Sequence, residues 1–201
     1  MLKTFVYKLY RSDRKGRKLR GYIHTASKVY NHCIALHKRY YRRFKKFLDR
    51  NTLQKHLSKL RKLPKYTKWQ ELNSQTIQDI TDRIQRSYQA FFNNVKLRKA
   101  GNKTGRKVSP PSFRSWYKYR SITFKNSGWK LLNDNTVRIG KTSYRFFFSR
   151  KVYGTVKTLT VKKDSAGDLF LFFVCEVGGD NKIRTMTGNT AGFDFGLKTY
   201  L

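Results

Sequence analysis

Positive charge is the feature that most constrains this chain. Its 201 residues include 46 Lys+Arg and only 11 Asp+Glu, which gives a formal net charge of +35. A chain this basic repels itself unless a polyanion neutralises it, and the polyanions of a cell are nucleic acids and anionic membrane surfaces. The hydrophobic fraction of 38% and the aromatic fraction of 15% are too high for a disordered polycation. The composition therefore predicts a folded protein that binds a polyanion, unlike an ordinary metabolic enzyme.

The basic residues are unevenly distributed. Most lie within residues 1–150, whereas nearly half of the acidic residues lie within residues 151–201, so we expect the binding surface in the first three quarters of the chain. There is no run of 18 apolar residues, as a spanning helix would need, and no signal-peptide core. Because basic residues occur in predicted helices, loops and strands alike, they suit a wrapped nucleic acid better than a flat bilayer. We therefore predict a cytoplasmic, nucleoid-associated protein that binds no membrane.

The cysteines and histidines give no sign of a metal site. Cys33 and Cys175 are too few and too far apart for a disulfide framework or a zinc knuckle, and each lies in an apolar pattern, so we expect two buried free thiols. We expect the histidines to face solvent or nucleic acid rather than a metal ion, because no carboxylate or cysteine is grouped around them. They lie in basic helical stretches: His24, His32, His37 and His56.

The first half of the chain is predicted to be one strand followed by helices. Alternating apolar residues predict a strand over residues 3–10, and the nearly all-basic stretch 11–20 is expected to be a loop. From about Gly21 the apolar residues recur every three or four positions, which predicts a long helix with a basic opposite face. Cap signals predict a second helix from Asn51–Thr52 and a third from Asn73–Ser74. Together these helices form a subdomain inserted after one strand.

The second half of the chain favours short strands. Residues 99–112 are rich in Gly, Pro and small polar residues and indicate a linker. Among the segments beyond it, 155–163 and 168–177 are typical of a hairpin, and residues 169–174 are apolar on both faces, which indicates a central, buried strand. The strands predict a small β-barrel, to which strand 3–10 returns as an edge. The expected fold is therefore α+β, a small barrel with an inserted helical subdomain.

Two segments interleave aromatic and cationic residues. In Phe113–Arg120 the combination suits single-stranded nucleic acid, because bases stack on rings while Lys and Arg contact phosphates. The alternative, that alternate rings pack in the core, stays equally open for any single ring. In Tyr40–Lys46 the spacing is helical, so we expect Tyr40, Phe44 and the following Phe47 in the core and only the basic face at the ligand. With the stretch 11–20 these segments supply the predicted nucleic-acid-binding residues: Arg17, Lys18, Arg20, Lys38, Arg39, Arg42, Arg43, Lys45, Lys46, Arg114, Trp116, Tyr117, Lys118, Tyr119 and Arg120.

The segment 191–201 contains one carboxylate, Asp194, in a predicted short strand. An Asp at a strand end before a turn glycine is common and needs no function. Asp-Phe-Gly is also the metal-binding tripeptide of protein kinases, but no glycine-rich loop, strand lysine or catalytic loop precedes it. In a ribonuclease H type strand a central Asp holds a divalent metal ion, yet cleavage with two metal ions needs several convergent carboxylates. Asp194 alone is not sufficient for that chemistry.

The order of short motifs along the chain resembles that of one family. After the first strand the motifs are Val29-Tyr30-Asn31, Asn73 to Gln78, Pro111 to Phe124, the strands 156–163 and 172–176, and Gly-Phe-Asp-Phe-Gly-Leu-Lys at 192–198. The ordered set covers essentially the whole chain and resembles the N-terminal half of TnpB (OrfB) proteins, the insertion-sequence relatives of type V CRISPR effectors. The resemblance implies a wedge-like barrel interrupted by a helical recognition domain. In that family both hold a guide RNA and target DNA, and a RuvC-like domain cuts the DNA.

The resemblance also implies a division of the chain. Its parts are the first barrel strand and basic loop (1–16), the helical recognition subdomain (17–105), the wedge-like barrel (106–180) and the start of the RuvC-like domain (181–201). Asp194 corresponds to the first catalytic, metal-binding carboxylate, whereas the later ones have no counterpart. We therefore expect a truncated product, or one segment of a longer endonuclease, that uses Mg²⁺ and cleaves DNA only if the missing nuclease half is supplied. We also expect residues 181–201 to be mobile or partner-dependent.

A general RNA-binding structural protein of the ribosomal type is the alternative. It explains the basic charge without a guide RNA or a nuclease, and it assigns no role to Asp194. The leading hypothesis instead predicts a structured guide RNA and DNA as partners, with the oligomeric state left open.

Overall fold

A computed structural model describes residues 1–101 and 107–178. These residues form helices and two antiparallel sheets, which confirms the α+β class. The elements are β1 (Leu2–Lys8), α1 (Asp13–Phe44), α2 (Arg50–Leu60), α3 (Thr67–Gln70), α4 (Ser74–Lys99), β2 (Ser121–Phe124), β3 (Trp129–Asn133), β4 (Thr136–Ile139), β5 (Thr142–Arg145), β6 (Thr155–Lys163) and β7 (Leu169–Glu176), with a short 3-10 helix at Pro64–Tyr66. The predicted order of one strand, then helices, then further strands is confirmed.

Helix α1 begins earlier than the sequence suggested. It starts at Asp13, so most of the stretch 11–20 is helical, and the prediction of a loop there is wrong. Arg, Lys and Leu are good helix formers, and the buried Gly16 and Leu19 extend the apolar stripe of the helix toward its N-terminus. The basic residues of this stretch therefore lie on the same helix as the cations near its C-terminal end.

Side-chain caps set the starts of two further helices. The Asp49 carboxylate accepts the backbone N–H groups of Asn51 and Thr52 at 2.8 and 3.1 Å, so α2 begins slightly before the predicted cap. Asn73 caps α4 as predicted, and its side-chain oxygen accepts the Gln75 N–H at 2.8 Å. Both caps satisfy N–H groups that have no partner within the helix.

The strands form two sheets, with the orders β1-β7-β6-β2 and β3-β4-β5. The hairpin of β6 and β7 and the central position of β7 are both confirmed. β1 lies at the edge of its sheet, and a single bridge between Leu9 and Phe146 joins this edge to the smaller sheet. Within the described residues the sheets do not close into a barrel, because their outer strands β2 and β3 are not hydrogen-bonded to each other.

Helix α4 attaches the helical region to the larger sheet through β2. The Arg83 guanidinium donates to Ser121 Oγ at 3.1 Å and to Thr123 Oγ1 at 2.6 Å. The buried Asp79 carboxylate pairs with the same guanidinium at 2.6 Å. Since β2 directly follows residues 113–120, these contacts also fix the position at which that segment enters the sheet.

A continuous apolar core extends from the sheets into the helices. Cys33 and Cys175 are buried and unpaired, as predicted. The expectation of a solvent-facing or ligand-facing histidine is wrong for His37, which is only 4% exposed because it packs against the rings of Phe47 and Tyr88. Within the described residues, no helix is both long enough and apolar enough to cross a membrane.

Candidate nucleic-acid interface

The segment 113–120 is irregular rather than a strand, and it lies along α1. The Asn31 side chain of α1 donates to the Arg114 carbonyl oxygen at 2.8 Å and accepts the Arg114 N–H at 2.9 Å. The Tyr30 hydroxyl donates to the Ser112 carbonyl oxygen at 3.1 Å. α1 therefore holds this segment through its backbone, which leaves most of the aromatic and cationic side chains exposed.

The rings of this segment divide between the surface and the core. Trp116 is 60% exposed and Tyr117 is 51% exposed, so the surfaces of these two rings are open to a ligand. Tyr119 is only 4% exposed and packs against Tyr30, with the ring centroids 5.5 Å apart. Its burial raises the pKa of the phenol to about 12. The prediction that Tyr119 binds nucleic acid is therefore wrong, because its ring belongs to the core beside β2.

Trp116 borders a shallow pocket against the N-terminal half of α1. The pocket has a volume of about 390 Å³, and its lining residues are Arg20, Gly21, Ile23, His24, Trp116 and Lys163. His24 lies edge-on to the indole, with centroids 6.2 Å apart, and the Lys163 ammonium lies 5.6 Å from the indole centroid. The backbone N–H of Lys163 donates to the Arg120 carbonyl oxygen at 2.8 Å. We call Arg20, His24, Trp116, Lys118, Arg120 and Lys163 the tryptophan surface.

A second group of predicted cations lies at the C-terminal end of α1. The Lys38 ammonium is 4.5 Å from the centroid of the exposed Phe113 ring, so the start of the 113–120 segment reaches this end of the helix as well. Phe44 is exposed and lies near the Arg43 guanidinium, so the prediction of a core position for its ring is wrong. We call the following exposed residues the helix-end surface: Lys38, Arg39, Tyr41, Arg42, Arg43, Lys45, Lys46 and Phe113.

The two surfaces are joined by α1 and the segment packed on it. Arg20 and Lys38 lie about 27 Å apart along the helix, at a rise of about 1.5 Å per residue. Arg114 contacts the middle of α1, between these two positions of the helix. Its backbone is bound by Asn31, and its guanidinium is 5.4 Å from the Tyr30 ring centroid. The arrangement brings cations from two distant parts of the sequence, α1 and residues 113–120, together in one helix–segment unit.

Arg17 and Lys18 have structural contacts of their own. Arg17 donates to the Asp13 carbonyl oxygen at 3.2 Å within the first turn of α1. Lys18 donates to Thr142 Oγ1 at 2.9 Å and so links α1 to β5. Both side chains remain exposed and positively charged at the surface.

The ion pairs of the described residues involve cations outside the predicted nucleic-acid-binding set. Hydrogen bonds from Arg11 and Lys8 lower the pKa of Asp168 to about 2. The remaining pairs are Asp79 with Arg83 and Arg86, Asp82 with Arg50 and Lys125, and Glu176 with Lys157. Within residues 1–101 and 107–178, none of the predicted binding cations pairs with a carboxylate. No carboxylate of the described residues neutralises their charge, so they attract an anionic ligand.

The sequence reasoning missed a further exposed aromatic pair. Tyr10 and Phe147 stack with their centroids 3.9 Å apart, and the Arg145 guanidinium lies 5.7 Å from the Tyr10 centroid. The signal that identifies them is the run Arg145 to Phe148, which interleaves a cation with rings just as Phe113–Arg120 does. When this run is interpreted only as a strand, its exposed rings are overlooked. Lys163 has no comparable signal, because only the pairing of β6 with β2 brings it beside the 113–120 segment and Trp116.

Asp194 lies outside the described residues. In the part of the chain that the structure describes, no group of three or more His, Cys, Asp or Glu side chains is placed to hold a metal ion. The exposed side chains of the two surfaces supply cations that attract anions and rings that can stack on flat groups. No protein-family model and no curated protein matches the chain.

Proposed function

We propose that the chain is the nucleic-acid-binding portion of a TnpB-like, transposon-encoded protein that binds a structured guide RNA together with DNA. The observation that carries the proposal is the row of exposed rings and cations along α1 and residues 113–120, where no carboxylate of the described residues pairs with the cations. Cations that lack a carboxylate partner attract phosphates, and exposed rings among them stack bases. The ordered motifs that resemble the family supply the choice of RNA and DNA as ligands.

The length of the interface suits a nucleic acid. The distance of about 27 Å between Arg20 and Lys38 corresponds to about eight base pairs at about 3.4 Å per base pair. Such a length allows several phosphate contacts, and each of them contributes about 0.7 to 0.9 to the slope of log affinity against log salt concentration.

The rest of the family architecture belongs to the same proposal. The two sheets correspond to the wedge-like barrel, α1 to α4 to the helical recognition domain, and Asp194 to the first carboxylate of the RuvC-like site. Mg²⁺ would be bound there only together with further carboxylates, so the proposal for residues 1–201 is binding of nucleic acid, and DNA cleavage would require those carboxylates. The expected location is the cytoplasm, in association with the nucleoid.

The test is reversal of three charges in the segment 113–120. The variant R114E/K118E/R120E should bind structured RNA more weakly and reduce the salt slope by about 2 to 3, because three phosphate contacts are lost. Binding is measured by fluorescence anisotropy at several salt concentrations. The matched control is K55E/K59E/K62E, which makes the same change in net charge at exposed positions around α2.

The two variants separate a defined interface from general polycation binding. Equal losses in both variants would contradict the interface, since they would show that only total charge matters. RNA-dependent capture of DNA by the wild-type chain supports the TnpB-like function. RNA binding with no such capture would favour the ribosomal-type alternative.

A further inference from the structure

A groove at the C-terminal ends of α1 and α4 is built from aromatic side chains. Its volume is about 520 Å³, and Phe47, Tyr88, Phe91 and Phe92 supply most of its apolar wall, with Pro110 and Pro111 beside them. Tyr88 and Phe92 are stacked, with an angle of 24° between the rings and centroids 6.1 Å apart. Phe47 meets Phe92 edge-on at 5.6 Å and 90°. Phe92 is 41% exposed, so part of its ring is open to a ligand.

The floor of this groove is uncharged. His37 lines it, and burial lowers the pKa of this imidazole to about 4, so the side chain is neutral at neutral pH. The positive charges lie at the edge instead, on Lys38, Lys45 and Lys46. An apolar aromatic wall bordered by cations suits a flat ring that carries a phosphate, because the ring stacks while the phosphate meets the lysines.

The backbone conformation of Lys45 also supports an anionic ligand at this groove. It ends α1 in the left-handed region, with φ 53° and ψ 20°, and its N–H donates to the Tyr41 carbonyl oxygen at 2.8 Å. Among the described residues it is the one non-glycine residue with positive φ. Glycine is strongly favoured at such a helix end, since a Cβ is strained there. A lysine at this position gives up stability and retains a cation at the edge of the groove.

We propose that this aromatic groove is a base-binding site that takes one unstacked nucleobase of single-stranded RNA, with Lys45 and Lys46 contacting the adjacent phosphates. The proposal rests on the nucleic-acid-binding function and adds a defined subsite to it. A duplex does not fit, because its bases are already paired and stacked. Single-stranded RNA does, because proteins recognise it by holding splayed bases against aromatic side chains.

The probe is a single-stranded RNA oligonucleotide with 2-aminopurine at one position, whose fluorescence changes when the base leaves its neighbours and stacks on a protein ring. The variant is Phe92→Ala, and the matched control is Leu97→Ala, an exposed apolar residue of the same helix that does not line the groove. We expect F92A to weaken binding of this RNA about tenfold, since stacking contributes about 1–3 kcal/mol per base and about 1.4 kcal/mol is a factor of ten. Binding of duplex RNA should be unchanged, and L97A should behave as the wild type.

The variant Lys45→Gly tests the site without relying on a truncated ring. It should raise the melting temperature, because it relieves the left-handed backbone, and it should weaken binding of single-stranded RNA. A higher melting temperature with unchanged RNA affinity would overturn the role of Lys45.

The outcomes distinguish this proposal from the broader function. If the wild-type chain binds no nucleic acid, the proposed function itself fails. If it binds RNA but the 2-aminopurine signal does not change and F92A matches L97A, the function stands and the base-binding site is refuted. Equal affinity for the corresponding single-stranded DNA would refute the assignment to RNA. A loss of stability in F92A without a change in RNA affinity would also refute the base-binding site, because the Phe92 ring would then act only by packing against Tyr88 and Phe47.

Discussion

Acidification should destabilise this protein through one buried side chain, His37. The imidazole is 4% exposed and packs against Phe47 and Tyr88, with centroids 5.1 and 4.9 Å away. Burial lowers its pKa in the folded state to about 4, whereas an unfolded chain has a histidine pKa of about 6.5. Between these values the unfolded state binds a proton that the folded state excludes. The free energy of unfolding should therefore fall as the pH is lowered through this interval.

The difference between the two pKa values of His37 determines how much unfolding free energy is lost. A pKa difference of one corresponds to about 1.4 kcal/mol, so the interval from about 6.5 to about 4 corresponds to about 3 kcal/mol. That amount is a large part of the stability of an ordinary domain, which is about 5–15 kcal/mol. Below about pH 4 the folded state also binds the proton, and the contribution of His37 stops growing. Above about pH 6.5 it has no effect.

The assay is urea unfolding at several pH values between 4 and 7.5, in enough salt to screen repulsion among the surface cations. His37→Phe keeps a ring in the cluster and removes the titrating group, so the difference in unfolding free energy between wild type and H37F should change by about 3 kcal/mol across the interval. His24→Gln, a change at an exposed histidine, is the control and should run parallel to the wild type. Some pH dependence should remain in H37F, because burial, His56 and Arg39 also lower the pKa of His32. Parallel curves for wild type and H37F would refute the reasoning.

Two further changes test the connections between the elements. Asp79→Ala should lower the free energy of unfolding by about 2–3 kcal/mol in denaturant titrations, because it leaves the partly buried Arg83 without its carboxylate; a loss below about 0.5 kcal/mol would contradict an anchoring role for this pair. Gly154→Ala should lower it by more than about 1 kcal/mol, because φ is +84° and the added Cβ would meet the Glu176 carbonyl oxygen. Gly140→Ala is its control, with positive φ but no atom within 4 Å of the added Cβ; equal losses would show that backbone strain, rather than the contact, explains the effect.

The order and class of the elements could be predicted because their signals are local. Helix α4 combines a cap at Asn73 with apolar residues at helical spacing, and β7 is apolar on both faces, so each pattern identifies its element without knowledge of its neighbours. The start of α1 is harder to predict from the sequence, since a run of Arg and Lys in residues 11–20 suits an exposed helix as well as a loop. Only the buried Gly16 and Leu19 show that this stretch has an inner face. Barrel closure depends on pairing between strands distant in sequence, which local patterns do not encode.

The candidate site could be predicted in its charges but not in its arrangement. Cations stay at the surface in almost any fold, so Arg114, Lys118 and Arg120 are exposed as predicted. The rings are ambiguous from sequence alone, because an aromatic side chain is equally suited to a core and to a stacking surface. Tyr119 is buried because its ring packs against Tyr30 just before β2, whereas Trp116 remains exposed on the irregular segment that Asn31 holds. The contribution of Lys163 follows only from tertiary structure.

Electrostatics connects the stability of this chain with the nucleic-acid binding proposed for it. Carboxylates such as Asp168 and Asp82 are used in ion pairs that join elements, the first between β1 and β7 and the second between α4 and its neighbours. Among the described residues, the exposed cations of α1 and residues 113–120 have no carboxylate partner, so they repel one another on the surfaces proposed to bind nucleic acid. A polyanion bound there relieves that repulsion and gains affinity for the same reason. Lys45 fits this view, because a left-handed helix end favours glycine, whereas the lysine keeps a cation at the edge of the groove for an anionic ligand.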